Sequence, residues 1–308
     1  MKKLSKMIAN KTCTAIEKHT FSVEGLSSSK KSGKNTLFFG AIHGDEPCGP
    51  KALRKLVGQF SIGELRVLEG SITFVPVCNP KAFAQKVRYC EENLNRVFTH
   101  HADPKTYEAK LANELASAVD ECDVLIDIHS TSASSAPFVF LDYQSEANRH
   151  LAEATGIPNI VTGWIELYKS IGKTDPQKPA YDTGRYAHEK GKVSVTIECG
   201  KHGSVSAERV AYRAAINVLR YFGIIGGKIT PPKAVEQKVL RLDRVYFKDS
   251  TEDVLVKKWK NFEPVSKGKV IARREGGRIL SSPYDGYIVM PKQNPSVGDE
   301  WFYIARPE

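Results

Sequence analysis

The sequence contains no uninterrupted apolar run near the roughly 18 residues that a membrane-crossing helix needs. The lysines of MKKLSKMIAN are not followed by an apolar stretch of about 7–15 residues, so the start does not read as a secretory signal. Cysteine is scarce: six in 308 residues, none in a CxxC pair, which excludes a disulfide framework and a cysteine-rich zinc module. Free thiols in a reducing cytoplasm are the expectation. There is no internal repeat, and no low-complexity tract beyond SSSKKSGKN (27–35). An excess of basic charge is present, +10 in all, but it is absent from the middle of the chain. Residues 1–34 carry eight lysines against two glutamates, and residues 228–274 thirteen basic against six acidic residues. Residues 35–227 hold 21 basic and 22 acidic residues. A nucleic-acid surface would need that surplus beside the chemistry, and it lies at the ends, so no nucleic-acid partner is expected.

What is present is an ordinary globular balance, 41% apolar and 26% charged, in a chain long enough to bury a full core. TLFFGAI (36–42), ITFVPV (72–77), VLIDIH (124–129), PFVFLD (137–142) and VSVTIE (193–198) read as buried strands. Between them run amphipathic helical patterns: Leu53, Leu56, Val57 and Phe60, then Tyr107, Leu111, Leu115 and Val119. A third has Val210, Ala214, Val218 and Phe222 on one stripe after Ser206. Asp103-Pro104 is a helix-capping signal ahead of the second pattern. Apolar strands alternating with helices predict an α/β domain with a mainly parallel or mixed central sheet flanked by helices. GGKITPPK (226–233) breaks that rhythm, and short strands follow in VLRLDRVYF, GKVIA, GYIVM and WFYIA. The expected organisation is a hydrolase-like domain over 1–228 and a small β-rich domain over 229–308.

Ligands of open α/β sheets gather beyond the carboxyl ends of the strands. His43 and Glu46 follow the first strand as H-G-D-E, His129 ends VLIDIH, and Glu198 ends VSVTIE. Two imidazoles and one carboxylate form a catalytic zinc set that leaves a position for water. Glu198 then has the place of a general base. Asp127 shares the strand face of His129 and is placed to orient its ring. Alone, a His-x-x-Glu is usually a solvated turn; the joint placement of four such residues at strand ends carries the reading.

GAIHGDEPCGP, NPKAFAQKVRYCEENLNRVF, DVLIDIHSTS and TIECGKHG, in that order, resemble the succinylglutamate desuccinylase/aspartoacylase family of zinc-carboxypeptidase-like deacylases. The resemblance implies one zinc ion per chain on His43, Glu46 and His129, with Glu198 as base and proton shuttle. It implies Arg88, Asn95 and Arg96 as substrate-binding residues, with Arg88 also polarising the scissile carbonyl. Tyr284, in the β-rich tail, is a candidate substrate contact; packing of the small β-rich domain together with Tyr287 is the alternative. The implied substrate is a small anionic N-acyl amino acid of the N-succinylglutamate or N-acetylaspartate type. A carboxypeptidase acting on peptides is the alternative. Asn93-Leu94-Asn95-Arg96 departs from the family's usual aspartate at the first position, which removes a negative charge near the arginines. No oligomeric state follows from the sequence.

Overall fold

The computed structural model describes residues 15–23, 33–172, 181–227 and 237–308. Most of the basic segment 1–34 and the boundary expected at 228/229 lie outside those residues.

Four parallel strands hold the centre: β2 (Asn35–Gly40), β3 (Ser71–Val75), β4 (Val124–Thr131) and β7 (Val193–Lys201). Their apolar runs are explained by burial on both faces. Phe38 of β2 packs on one face with Leu53, Leu56 and Phe60 of α1 (Cys48–Ser61), and with Ala211 and Val218 of α7 (Val205–Tyr221). Leu37 and Phe39 point the other way, onto Leu111, Leu115 and Val119 of α3 (Tyr107–Glu121) and Tyr186 of α6 (Thr183–Glu189). One-residue alternation thus feeds two cores, and a continuous apolar run is what such a strand needs.

Among the described residues the sheet continues to eleven strands and is mixed. β1 (His19–Ser22) adds antiparallel to β3 at one edge. Beyond β7 come β5 (Phe138–Phe140), β6 (Asn159–Thr162), β8 (Lys238–Phe247), β14 (Glu300–Pro307), β13 (Gly286–Val289) and β10 (Glu263–Val265). The β-rich C-terminal stretch therefore extends the central sheet, because β8 pairs in parallel with β6. It also has its own apolar core around Trp259, Ile271, Ile288 and Trp301. A separate three-stranded sheet joins β12 (Ile279–Ser281), β11 (Val270–Arg273) and β9 (Val254–Leu255).

Two helix starts differ from the sequence reading. Thr106, whose Oγ1 accepts from the Ala109 amide, caps α3 in place of Asp103. Ser204 caps α7, so the helix opens at Val205. Among the described residues, four short helices lie outside the periodic patterns: α2 (Pro80–Gln85), α4 (Glu146–Ala154), α5 (Trp164–Ser170) and α6.

Candidate active site

The chain leaves β2 through Ala41, a non-glycine residue with φ 46°. Among the described residues, the other non-glycine residues at positive φ are Lys86, Phe262 and Met290. All four lie at, or within two residues of, a residue lining one cleft: His43, Arg88, Asn261 and Met290. Left-handed backbone costs an L-residue about 1 kcal/mol or more, and its clustering here marks a region shaped for function. Gly44 then passes against α2 so closely that a Cβ would lie 2.5 Å from the Ala82 carbonyl oxygen. The Gly44 amide donates to Arg88 O at 3.1 Å, tying the His43 turn to the arginine loop.

That loop is organised by Glu108, a fully buried carboxylate of α3. It accepts from the Asn79 side chain at 3.1 Å, and from the amides of Cys90, Glu91 and Glu92 at 2.7, 3.1 and 3.2 Å. Four donors compensate its burial. Arg88, Asn93, Asn95 and Arg96 follow from this anchored loop, the last two in a single 3-10 turn over Leu94–Arg96.

His43, Glu46 and His129 are each 2% exposed, and their ligand atoms lie within 4.8 Å of one another. His43 Nδ1 is 2.9 Å from Glu46 Oε1, and His129 Nδ1 is 3.1 Å from Glu46 Oε2. The opposite ring nitrogens face acceptors. His43 Nε2 is 3.1 Å from Asn93 Oδ1, which also accepts from the Asn95 amide and so is the oxygen. His129 Nε2 lies 2.9 Å from Asp127 Oδ2, an ion-pair contact rather than an aligned hydrogen bond. Asp127 Oδ2 is fixed in turn by the Thr183 hydroxyl at 2.6 Å. Protons on the two Nε2 atoms leave both Nδ1 lone pairs directed inward, the arrangement a metal-binding pair of imidazoles needs. A second trio, Asp45, Glu46 and His202, also comes within 4.8 Å, but it is less buried and shares Glu46. The donor chemistry and outer partners of the first trio fit zinc.

The charges agree with this close packing. Burial lowers the pKa of His43. Burial also opposes charge on His129, but Asp127 and Glu46 outweigh it and hold that ring's pKa well above the usual range. Burial of Glu46 is outweighed in the same way by the two imidazoles, which hold its carboxyl low.

Glu198 stands opposite His129 in the β4–β7 register, on the same face of the sheet. Its Oε2 is closed to solvent and has no hydrogen-bond partner. Burial, reinforced by the nearby negative charge of Glu46, pushes its pKa up to about 8. A carboxyl that takes and returns protons near neutrality is what a general acid–base step requires.

The residues expected from the sequence mostly meet. His43, Glu46, Arg88, Asn95, Arg96, His129 and Glu198 all line one cleft of about 650 Å³. Arg88 Nη1 is 3.4 Å from Glu46 Oε1, beside the histidines. Arg96 is exposed, with Nη1 on its neighbour's carbonyl, Asn95 O, at 2.7 Å. Asn95 Oδ1 accepts from the Thr183 amide at 3.1 Å.

Tyr284 does not join them. Its hydroxyl donates to Asp243, and its ring lies 4.6 Å beneath the Arg306 guanidinium, so it packs the C-terminal stretch outside the cleft. The tail contributes other residues to the cleft, namely Asn261, Met290, Pro291, Lys292, Glu300 and Tyr303. Asn93 lines the cleft and keeps the hydrogen-bonding capacity expected of it, backing the His43 ring.

Ser130 and His202 were not anticipated. The Ser130 amide donates to Glu46 Oε2 at 2.8 Å, and its hydroxyl bonds His202 Nδ1 at 2.8 Å. Both belong to the motif blocks DVLIDIHSTS and TIECGKHG, which was their one available signal.

Residues 32–221 match the succinylglutamate desuccinylase/aspartoacylase catalytic domain. The chain is 28% identical over 255 residues to an N-alpha-acetyl-L-2,4-diaminobutyric acid deacetylase of Halomonas elongata, covering 78% of this chain and 70% of that protein. It is 25% identical over 303 residues to a succinylglutamate desuccinylase of Pseudoalteromonas atlantica, covering 90% and 82%. A solved succinylglutamate desuccinylase/aspartoacylase of Rhodobacter sphaeroides superposes with a TM-score of 0.74 at 20% identity, over 90% of this chain and 87% of that one. No helix among the described residues is long and apolar enough to cross a membrane. With its catalytic-domain match spanning more than half its length, the chain belongs to the succinylglutamate desuccinylase/aspartoacylase family.

Proposed function

We propose that the protein is a zinc-dependent deacylase that hydrolyses the amide bond of a small N-acyl amino acid held through its carboxylate. The observation that carries this reading is the buried His43–Glu46–His129 trio, facing a carboxyl with an unpartnered oxygen at Glu198, in one cleft with two arginines. His43, Glu46 and His129 would hold one ion per chain, which supplies Lewis acidity and makes water reactive near neutral pH. Glu198 takes a proton from the attacking water as its oxygen bonds the acyl carbon. As the C–N bond breaks, Glu198 returns that proton to the leaving nitrogen, giving a carboxylic acid and an amine that ionise to a carboxylate and an ammonium. Arg88, nearest the trio, stabilises negative charge developing on the carbonyl oxygen. Arg96 receives a substrate carboxylate in its planar fork.

The cleft volume falls in the range of small-molecule sites, and Met290, Pro291 and Tyr303 of the C-terminal stretch line it. The relatives named above act on N-acyl amino acids with different side chains, so the family alone leaves the side chain open. Release of free amino acid from a panel of N-acetyl and N-succinyl amino acids by zinc-loaded protein tests the proposal. Parallel cleavage of short peptides at comparable kcat/KM would overturn it in favour of a carboxypeptidase.

A further inference from the structure

The deacylation chemistry leaves one end of the cleft without a task. Asp142, just past β5, and Asp182, at the start of α6, both line it. Asp142 Oδ1 is closed to solvent and has no hydrogen-bond partner, while the Trp164 backbone lies near the same carboxyl. Asp182 Oδ1 accepts from the Arg185 amide at 2.7 Å. Among the described residues neither makes an ion pair. The charges of Arg96 and Arg185 reach Asp182, but Nη1 of Arg96 is spent on Asn95 O and Nε of Arg185 on Glu189 Oε1 at 2.9 Å.

Beside these acids stand three rings that line the same cleft: Phe140, Trp164 and Tyr303. The Phe140–Trp164 and Trp164–Tyr303 centroids are 5.4 and 5.2 Å apart. An unsatisfied carboxyl oxygen beside aromatic rings favours a cation.

We propose that the Asp142–Asp182 end of the cleft binds a protonated amine of the substrate, which makes the substrate an N-acyl amino acid with a side-chain ammonium. This rests on the deacylase reading and narrows it. The α-nitrogen is tied up in the amide, so the ammonium has to come from the side chain. The carboxylate goes to Arg96. Charge balance supports the assignment. Burial, with the charges of Asp182 and Glu166, pushes the Asp142 pKa up to about 8, so an incoming ammonium is what allows that carboxyl to ionise at neutral pH.

The test pairs substrates of equal shape: N-α-acetyl-2,4-diaminobutyrate against N-acetylnorvaline, and N-α-acetylornithine against N-acetylnorleucine. The parent enzyme is expected to favour the diamino member by about ten- to a hundredfold in kcat/KM, the range of a charge-assisted contact. Asp142→Asn keeps the size and shape of the side chain without its charge and should bring that ratio close to one. Equal rates within each parent pair, faster cleavage of N-acetylglutamate than of either diamino substrate, or an unchanged ratio in Asp142→Asn would overturn the proposal while leaving a deacylase. If the variant does not fold, the parent ratios decide alone. Cleavage of no N-acyl amino acid would overturn both readings.

Discussion

Replacing Arg96 by alanine removes the cation placed to receive a substrate carboxylate, and the structure sets the size of the effect. The guanidinium has no carboxylate partner among the described residues; Nη1 donates to Asn95 O at 2.7 Å, and the rest of the fork is available. A hydrogen bond to a charged group contributes about 1.5–3 kcal/mol, which is about ten- to a hundredfold in kcat/KM. Because Arg96 is exposed in the free protein, solvent screening favours the lower end, about tenfold. The assay compares an N-acetyl amino acid with its α-carboxamide in parent, Arg96→Ala and Arg96→Lys. The parent should prefer the acid by at least about tenfold, and Arg96→Ala should erase most of that preference by slowing the acid alone. Arg96→Lys should recover part of it, since an ammonium keeps the charge but lacks the planar fork. Equal rates on acid and amide in the parent, or an unchanged ratio in Arg96→Ala, would refute the assignment.

Three further outcomes are expected. Glu198→Gln should retain metal and fold while kcat falls by about 10²–10⁴-fold; turnover within about threefold of the parent would remove Glu198 as the base. Asn93→Ala should weaken zinc binding by about 10–100-fold in a chelator competition, because it removes the acceptor that orients His43, and Asn93→Asp should tighten it; equal affinities in all three proteins would contradict that role. Gly44→Ala should lower both thermal stability and metal content, since its Cβ meets the Ala82 backbone, whereas Gly58→Ala, in open space on an exposed helix face, should add about 0.5–1 kcal/mol. A Gly44→Ala protein as stable and as metal-rich as the parent would show that the His43 turn tolerates displacement.

The parts of the site legible in the sequence share a physical cause. His43, His129 and Glu198 terminate or follow apolar runs buried on both faces, and a polar residue at such a place has few explanations. Asp127 was visible for a related reason: strand alternation puts it on the face of His129. The residues that were not legible depend on distant partners. Glu108 reads as an ordinary helix-surface glutamate until the loop over Cys90–Glu92 folds onto it. Asn93 reads as a missing charge until His43 is brought to it from 50 residues away. Tyr284 carried the composition of a binding residue, but Asp243 and Arg306 hold it in the C-terminal packing. The same holds for the fold. Strands β2, β4 and β7 announce themselves, whereas β1 has a single large apolar residue, Phe21, in four positions. The junction of β6 with β8 is a long-range pairing that local patterning does not encode.

The most direct test of the central claim is a zinc titration of metal-stripped protein, following release of free amino acid from its best N-acyl substrate. Activity should rise in proportion to zinc and level off at one ion per chain, and His129→Ala should show neither tight zinc binding nor turnover. Full activity in the metal-stripped protein, or a His129→Ala variant that binds zinc and turns over like the parent, would contradict it.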